Sequence, residues 1–142
     1  MEKCVIYRGE LSPRKHKGDA GLDIISNMDT TIPVGSRAII TTGLVVGIPY
    51  GKVGFVKGKS GLSFNHDIEV GAGVIDHLYR DEIKVKLYNF GDKEFNITKG
   101  MKIAQLVTLN ICLDDYDTRV GEIEDTSRGT DGFGSTGSHH EE

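Results

Sequence analysis

The chain has 142 residues, a mass of 15.5 kDa and a formal net charge of −4 at pH 7, which fits one domain. The negative charge argues against a general nucleic-acid binder, because such proteins carry a basic face. With 37% hydrophobic residues the chain can bury one core, which excludes a disordered polyelectrolyte. Glycine accounts for 19 of the 142 residues, about 13%, against a usual share of ~7%. We therefore expect tight turns and close backbone approach to ligands.

Targeting and metal-binding patterns are absent from the sequence. No stretch approaches the ~18 apolar residues of a membrane span, and residues 1–4 do not begin a secretory signal. We therefore expect a soluble intracellular protein of the cytoplasm or nucleus. Cys4 and Cys112 are not clustered as zinc ligands are, so we expect two reduced thiols.

Short runs rich in Ile, Val and Thr, separated by Gly, Asp and Asn, predict strands. The clearest are residues 3–7, 37–48, 83–87, 94–97 and 102–112. Residues 83–87 alternate apolar and charged side chains, as in a strand with one buried face. One or two helical turns are predicted over 61–66, with Ser60 as the cap. Ten or so short strands and one short helix predict an all-β fold, a distorted jelly-roll sandwich.

The composition changes after the last predicted strand. We expect a β-rich core over 1–113, a charged linker over 114–127 and a mobile C-terminal arm and tail over 128–142. The arm contains four glycines, an arginine, a phenylalanine, a serine and two threonines within residues 128–137. It is either a flexible tail or a segment that closes over a nucleotide, with a guanidinium for phosphate and a ring for the base.

Lys59, Ser60 and Gly61 suggest a phosphate-binding turn. The segment resembles the end of a P-loop, but its first glycine lies one residue too close. Lysine supplies charge, serine a hydroxyl and glycine an open N–H ahead of a helical turn. A plain surface turn is the alternative.

Three further polar residues interrupt apolar runs. Asp76 ends a strand and is a candidate general base, with Tyr79 three residues later. A turn-forming role for Asp76 and a packing role for Tyr79 are the alternatives. Asp23 and Gln105 lie within apolar runs, where a polar side chain needs a hydrogen-bond or ionic partner, and either could be structural.

Five segments resemble, in order and spacing, the five motifs of the trimeric dUTP diphosphatases (dUTPases). The segments are AGLDI (20–24), GKSGLS (58–63), GVIDHLY (73–79), GMKIAQLV (100–107) and RGTDGFGSTG (128–137). The resemblance implies a jelly-roll homotrimer in which three chains share each active site. It also implies hydrolysis of dUTP to dUMP and pyrophosphate with Mg²⁺, and no nucleic-acid or membrane partner.

The resemblance also implies roles for individual residues. Asp76 is expected to deprotonate the water that attacks the α-phosphorus. The ring of Tyr79 is expected to lie against the deoxyribose and exclude a 2′-hydroxyl. Mg²⁺ is expected to be held mainly by the triphosphate and water rather than by a carboxylate cage. Asp23 is expected to support the polar network of the site.

The same resemblance implies the remaining substrate contacts. Uracil is expected to be read by the backbone of a β-hairpin around 70–73 and its return strand. The arm is expected to reach the substrate from a neighbouring subunit. The implied binders are Ala72, Gly73 and Val74 for uracil; Lys59, Ser60, Gly61 and Gln105 for the phosphates; and, from the arm, Arg128 on the γ-phosphate, Phe133 over the base, with Gly134, Ser135 and Thr136.

The sequence departs from the family pattern at several positions. Lys59 stands where arginine is usual and lacks its bidentate fork. Leu78 replaces an acidic residue, and Asp81 replaces a glycine. Asn65 and Asp67 replace a lysine and a glycine. None of these removes a proposed catalytic group, but they affect the phosphate geometry and the trimer contacts near 78–81.

Two other functions are compatible with the fold. A dCTP deaminase would need a catalytic glutamate near the cytosine ring, and Glu82 is the nearest candidate. A β-sandwich interaction module or a signalling scaffold without catalysis is the second alternative. It would have an incomplete catalytic set.

Overall fold

Eleven short strands and one helix form the part of the chain that the structure, a computed structural model, describes, residues 2–140. In chain order they are β1 (Val5–Arg8), β2 (Leu11–Ser12), β3 (Gly21–Ile25), β4 (Thr30–Ile32), β5 (Arg37–Gly47), β6 (Lys52–Lys57), α1 (Ser60–His66), β7 (Ile68–Gly71), β8 (Val74–Ile75), β9 (Ile83–Asn89), β10 (Phe95–Ile97) and β11 (Lys102–Asn110).

The strands form two larger antiparallel sheets and one small one. One sheet has the order β1-β5-β9-β7 and the other the order β2-β3-β11-β6-β8. β4 and β10 pair separately. Neighbours in a sheet are mostly distant in sequence, as in a jelly roll rather than a simple meander. The predicted all-β jelly-roll sandwich is confirmed.

Apolar side chains from both larger sheets meet in one core. β9 buries Ile83, Val85 and Leu87 and turns the intervening Lys84 and Lys86 outward. This is the period of two expected for a strand with one wet face. The buried core residues are Ile24, Ile32, Ile40, Leu44, Val46, Ile48, Val56, Ile68, Ile83, Val85, Leu87, Ile97, Ile103, Ala104 and Leu106.

Three polar residues of the described chain are buried, Ser26, Thr42 and Asn89, and Asn89 lies at the end of β9. Asn89 donates from Nδ2 to the carbonyl of Ile32 at 2.9 Å and to that of Lys93 at 2.8 Å. Its Oδ1 accepts from the N–H of Gly91 at 2.9 Å. Asn89 is 1% exposed, and it ties the β9–β10 turn to β4.

The predicted elements agree with the structure at most long strands and differ in detail elsewhere. The helix occupies Ser60–His66, but Lys59 is the N-cap residue and makes no side-chain cap hydrogen bond. Ser60 is therefore the first helical residue, and its predicted capping role is wrong. β2, β3, β4 and β6 match no predicted strand, while β8 matches the strand expected to end at Asp76.

The chain after β11 lies outside the sheets. Up to residue 140 it contains no further strand or helix, and nearly all its residues are exposed. Within residues 2–140 no helix is long and apolar enough to cross a membrane.

Candidate active site

Lys59 lies where the chain leaves β6 and enters α1. Its ammonium forms an ion pair with Asp23 on β3, and Lys102 Nζ lies 3.5 Å from the other oxygen of that carboxylate. The Asp23 side chain is only 18% exposed, and a carboxylate with so little access to water needs positively charged partners. The expectation of an ionic partner for Asp23 is confirmed.

Gln105 lies at the centre of the same sheet. On β11 it stands opposite Asp23 of β3 on one side and Lys57 of β6 on the other. Directly opposite residues point to the same face, so polar groups of three strands meet here. Gln105 donates from Nε2 to the carbonyl of Gly58 at 2.9 Å, which fixes the turn before Lys59.

Gly21 makes room for this amide. A Cβ built at Gly21 would overlap Oε1 of Gln105, so a side chain there would displace the amide. Gly21 belongs to the AGLDI segment, and the sequence alone indicates no role for it. The need for a glycine at this position is seen only when β3 and β11 are paired, because Gly21 and Gln105 lie 84 positions apart in the sequence.

Lys102 is a second site residue whose position the sequence does not predict. Lys102 and Gln105 are an odd number of positions apart, so in a regular strand they would point to opposite faces. The pairing of β11 with β3 shifts between Lys102 and Ala104, as at a β-bulge. The shift brings both side chains to one face.

These residues line a cavity of about 430 Å³, which we call the basic cavity. One part of its wall is formed by Lys59, Ser60, Asp23, Lys102 and Gln105. The loop between β2 and β3 forms the rest. A neighbouring recess also reaches Lys59, Ser60 and Gln105 and extends towards α1 and β7. Gly61 is the second residue of α1, and a Cβ there would meet nothing within 4 Å.

Asp76 lies elsewhere, directly after β8. It lines a second cavity of about 350 Å³, the Asp76 cavity, with Tyr79 and the backbone of 71–75. The carboxylate is exposed, and among residues 2–140 it accepts no hydrogen bond and forms no ion pair. It is therefore free to accept a hydrogen bond from water.

Tyr79 is held in place by its own loop. Its backbone N–H donates to the carbonyl of Asp76 at 3.1 Å, and its hydroxyl donates to the carbonyl of Glu82 at 2.7 Å. Burial, and then the charges of Asp81 and Glu82, raise the pKa of Tyr79 above its ordinary value. The hydroxyl consequently remains a donor, and the ring borders the Asp76 cavity.

The backbone beside this cavity crosses from one sheet to the other at Ala72 and Gly73. β7 pairs with β9 and β8 with β6, so the hairpin expected around 70–73 is wrong. Gly73 has φ +117°, and a Cβ there would lie 2.5 Å from the carbonyl oxygen of Val56. Ala72 has φ +51°, an unusual value for a residue with a side chain. Ala72, Gly73 and Val74 at this strained crossover line the cavity, and the Gly73 carbonyl accepts from the N–H of Val56 at 2.8 Å.

The predicted arm residues lie apart from both cavities. Arg128 donates from Nε to the carbonyl of Asp131 at 2.8 Å, and the Phe133 ring is fully exposed. Gly134, Ser135 and Thr136 belong to an exposed turn. Within one chain, the structure therefore brings together the phosphate-side residues and, separately, Asp76 with Tyr79, while the arm contacts neither cavity.

Comparison with known proteins identifies a family. The dUTPase family model matches residues 8–137. The chain is 45% identical to the deoxyuridine 5′-triphosphate nucleotidohydrolase of Mus musculus, over 83% of this chain and 72% of that protein. It is 44% identical to that of Paramecium bursaria Chlorella virus 1, over 96% of each chain. It spans 46% of the human mitochondrial protein of the same name.

Solved structures share the fold. The dUTPase of Staphylococcus bacteriophage 80alpha with dUPNHPP has a TM-score of 0.89 and 26% identity, covering 97% of this chain and 100% of that chain. A mutant dUTPase of phage phi11 of S. aureus, described with a structural Mg(II) ion, has a TM-score of 0.72 and 22% identity, over 88% and 99%. With the family model matching nearly the whole chain and relatives above 40% identity, this chain belongs to the dUTPase family, the deoxyuridine 5′-triphosphate nucleotidohydrolases.

Proposed function

We propose that this chain hydrolyses dUTP to dUMP and pyrophosphate by attack of water on the α-phosphorus. The observation that carries the proposal is the free carboxylate of Asp76 at the end of β8, beside the ring of Tyr79. A general base needs an accepting group within reach of the water and no competing partner. Asp76 meets the second condition within the described chain.

In the proposed reaction, Asp76 accepts a proton as the water oxygen bonds to the α-phosphorus. The bond between that phosphorus and the bridging oxygen breaks on the opposite side, and pyrophosphate leaves. The non-bridging oxygens of the phosphates are bound by Lys59, Ser60, Gly61 and Gln105. Lysine acts there as a point charge, without the planar fork of arginine. Positioning and charge neutralisation supply most of the rate, as in phosphoryl transfer generally.

Mg²⁺ is the proposed cofactor, and it would neutralise charge on the triphosphate. Within residues 2–140 no group of three or more His, Cys, Asp or Glu side chains is placed to hold a metal ion. Asp23 already pairs with two lysines. This donor set fits a hydrated ion held mainly by the substrate and water, with Asp23 as a neighbouring acceptor.

The nucleoside is proposed to occupy the Asp76 cavity. The bond from the Tyr79 hydroxyl to Glu82 fixes the ring, which would leave no room for a 2′-hydroxyl. Ala72, Gly73 and Val74 offer backbone groups to the uracil edge. Cytosine would present a donor where an acceptor is expected, and leaving such groups unpaired costs about 1–3 kcal/mol each.

A homotrimer with shared active sites is the proposed assembly. Its support is that one chain holds the phosphate-side residues and Asp76 in separate cavities. Apolar side chains on the outer strand β1 are also exposed, including Ile6 and Tyr7. In this proposal a neighbouring chain supplies the arm, with Arg128 on the γ-phosphate, Phe133 over the uracil, and Ser135 and Thr136 on terminal oxygens.

The alternative of a dCTP deaminase depends on Glu82, whose carboxylate is already engaged. Oε2 accepts from the backbone N–H of Gly43 at 2.7 Å and of Thr42 at 3.1 Å. These bonds connect the Asp76 loop to β5. A structural role accounts for Glu82, so it does not support deamination.

The proposal is tested by supplying dUTP, dCTP, dTTP and UTP in parallel with Mg²⁺. Pyrophosphate release from dUTP at a rate well above the other three is the expected result. Ammonia release from dCTP would favour the deaminase. No turnover of any of the four would favour a non-catalytic interaction module.

A further inference from the structure

The loop between β2 and β3 carries a basic run that the proposed reaction does not use. Arg14, Lys15, His16 and Lys17 are consecutive in a chain whose net charge is −4. The first three line the basic cavity, together with Lys59 and Lys102, and Lys17 does not. Three of the four residues of this basic run therefore line the cavity.

Asp19 gives this loop a defined shape. Its carbonyl accepts from Arg14 Nε at 2.7 Å, and its carboxylate accepts from the backbone N–H of His16 at 3.0 Å. Its own N–H donates to the carbonyl of His16 at 3.1 Å. Arg14 is thus held through Nε, and within residues 2–140 its two Nη groups donate no hydrogen bond.

The cavity has an excess of positive charge. Four of its lining residues are lysine or arginine and two are carboxylates. Both carboxylates have partners: Asp19 within the loop, and Asp23 with Lys59 and Lys102. Arg14 and Lys15 form no ion pair with a described residue. A positively charged cavity of this kind concentrates an anion, even on a protein whose net charge is negative.

We propose that Arg14 and Lys15 form an additional phosphate subsite, which binds the terminal phosphates of the substrate and then the pyrophosphate product. The identity of the substrate rests on the proposed function, while the ligand class, a diphosphate or polyphosphate, rests on the cavity. Ser60 and Gln105 line the same cavity and connect this subsite to the proposed α- and β-phosphate contacts. Guanidinium and ammonium groups form charge-assisted hydrogen bonds with phosphate oxygens.

The test is binding of inorganic pyrophosphate, without nucleotide, measured by isothermal titration calorimetry in magnesium-containing buffer. The variants are Lys15→Gln and Arg14→Gln, with Lys17→Gln as the control that removes the same charge from the same loop. Each of the first two should weaken pyrophosphate binding about tenfold or more, since a hydrogen bond to a charged group has been lost. The control should stay within about twofold, and dUMP binding should change in none of them.

Three results would overturn the subsite. They are no measurable pyrophosphate binding by the unaltered protein, unchanged binding in Lys15→Gln, and an equal loss in all three variants, which would indicate a general charge effect. A loss confined to Arg14→Gln would mean that loop shape matters and direct contact by Lys15 does not. If pyrophosphate binds as expected but dUTP is not hydrolysed, the proposed function fails while the subsite remains.

Discussion

Replacing Asp76 by asparagine keeps the shape of the side chain and removes its basicity. We expect Asp76→Asn to lower turnover of dUTP at least about 100-fold, the usual contribution of a positioned general base. Binding of dUTP should persist, because the proposed partner of Asp76 is the attacking water and the phosphate-side residues lie in the other cavity. Pyrophosphate release gives the rate, and equilibrium binding gives the affinity.

Asp81→Asn is the matched control, since Asp81 lines the same cavity five residues later. Its Oδ1 accepts from the N–H of Glu82 at 2.7 Å, a bond that asparagine can keep. Turnover in this variant should stay within a few fold of the unaltered protein. Full activity in Asp76→Asn would remove that residue from the mechanism.

Gly21 offers a test of how Gln105 is placed. In Gly21→Ala the new methyl group would overlap the Gln105 amide, which must then move from its position beside Gly58. We expect the KM for dUTP to rise roughly tenfold, the loss of one hydrogen bond to a charged group, with little change in Tm.

Gly18→Ala serves as the control for this change. Gly18 lies in the preceding loop and a Cβ there meets nothing within 4 Å. It should leave both KM and Tm unaltered. A KM unaffected by Gly21→Ala would mean that the Gln105 amide does not contact substrate.

At the scale of elements, Asn89 holds the end of β9 against β4 and the following turn. Asn89→Ala leaves the buried carbonyl of Ile32, and the part-buried carbonyl of Lys93 and N–H of Gly91, without this partner. We expect the free energy of unfolding to fall by about 2–4 kcal/mol, because a buried unsatisfied group costs about 1–3 kcal/mol and the two part-buried groups add less. Urea denaturation measures the change.

Asn96→Ala on β10 is the control for that experiment. Asn96 is exposed, and its side chain accepts one hydrogen bond from Thr31 at 2.7 Å. An exposed substitution of this kind usually changes stability by less than about 0.5 kcal/mol. Equal effects at Asn89 and Asn96 would contradict the role given to Asn89.

The strands differ in how far the sequence could predict them. β5, β9 and β11 have seven or more residues each, so β-branched content and alternation are visible along them. β2 and β8 have two residues each, too few to show a period. The helix lies where the sequence predicts it but begins one residue earlier, a difference that is common at helix ends.

The sequence indicates which residues form the site better than it indicates how those residues are arranged. Asp23 and Gln105 were recognised because polar residues inside apolar runs need partners. Lys102 was missed because a β-bulge changes the face to which it points. The chain reversal expected at 70–73 is a crossover between sheets, since β7 and β8 take partners that lie far along the chain. Pairing between distant strands leaves no local pattern.

At the scale of the whole molecule, the segment after β11 is separable from the core. A chain ending at Ser127 would lose the whole arm and no strand of the sandwich. We expect it to remain folded with its oligomeric state unchanged, and to hydrolyse dUTP at least about 100-fold more slowly, as more than one contact to phosphate is lost. Light scattering and pyrophosphate release measure the two properties.

A chain ending at Ser138 is the control, because it keeps every proposed arm contact and removes only the last four residues. It should retain full activity. If the chain ending at Ser127 dissociated, the arm would be a structural element first and a substrate contact second.

The position of bond cleavage tests the central claim most directly. Hydrolysis of dUTP in water enriched in ¹⁸O, followed by mass spectrometry of both products, shows which phosphorus the water attacks. Attack at the α-phosphorus predicts one ¹⁸O atom in dUMP and none in pyrophosphate. Label in the pyrophosphate instead would contradict the account, since the water activated by Asp76 would then have reacted at a different phosphorus.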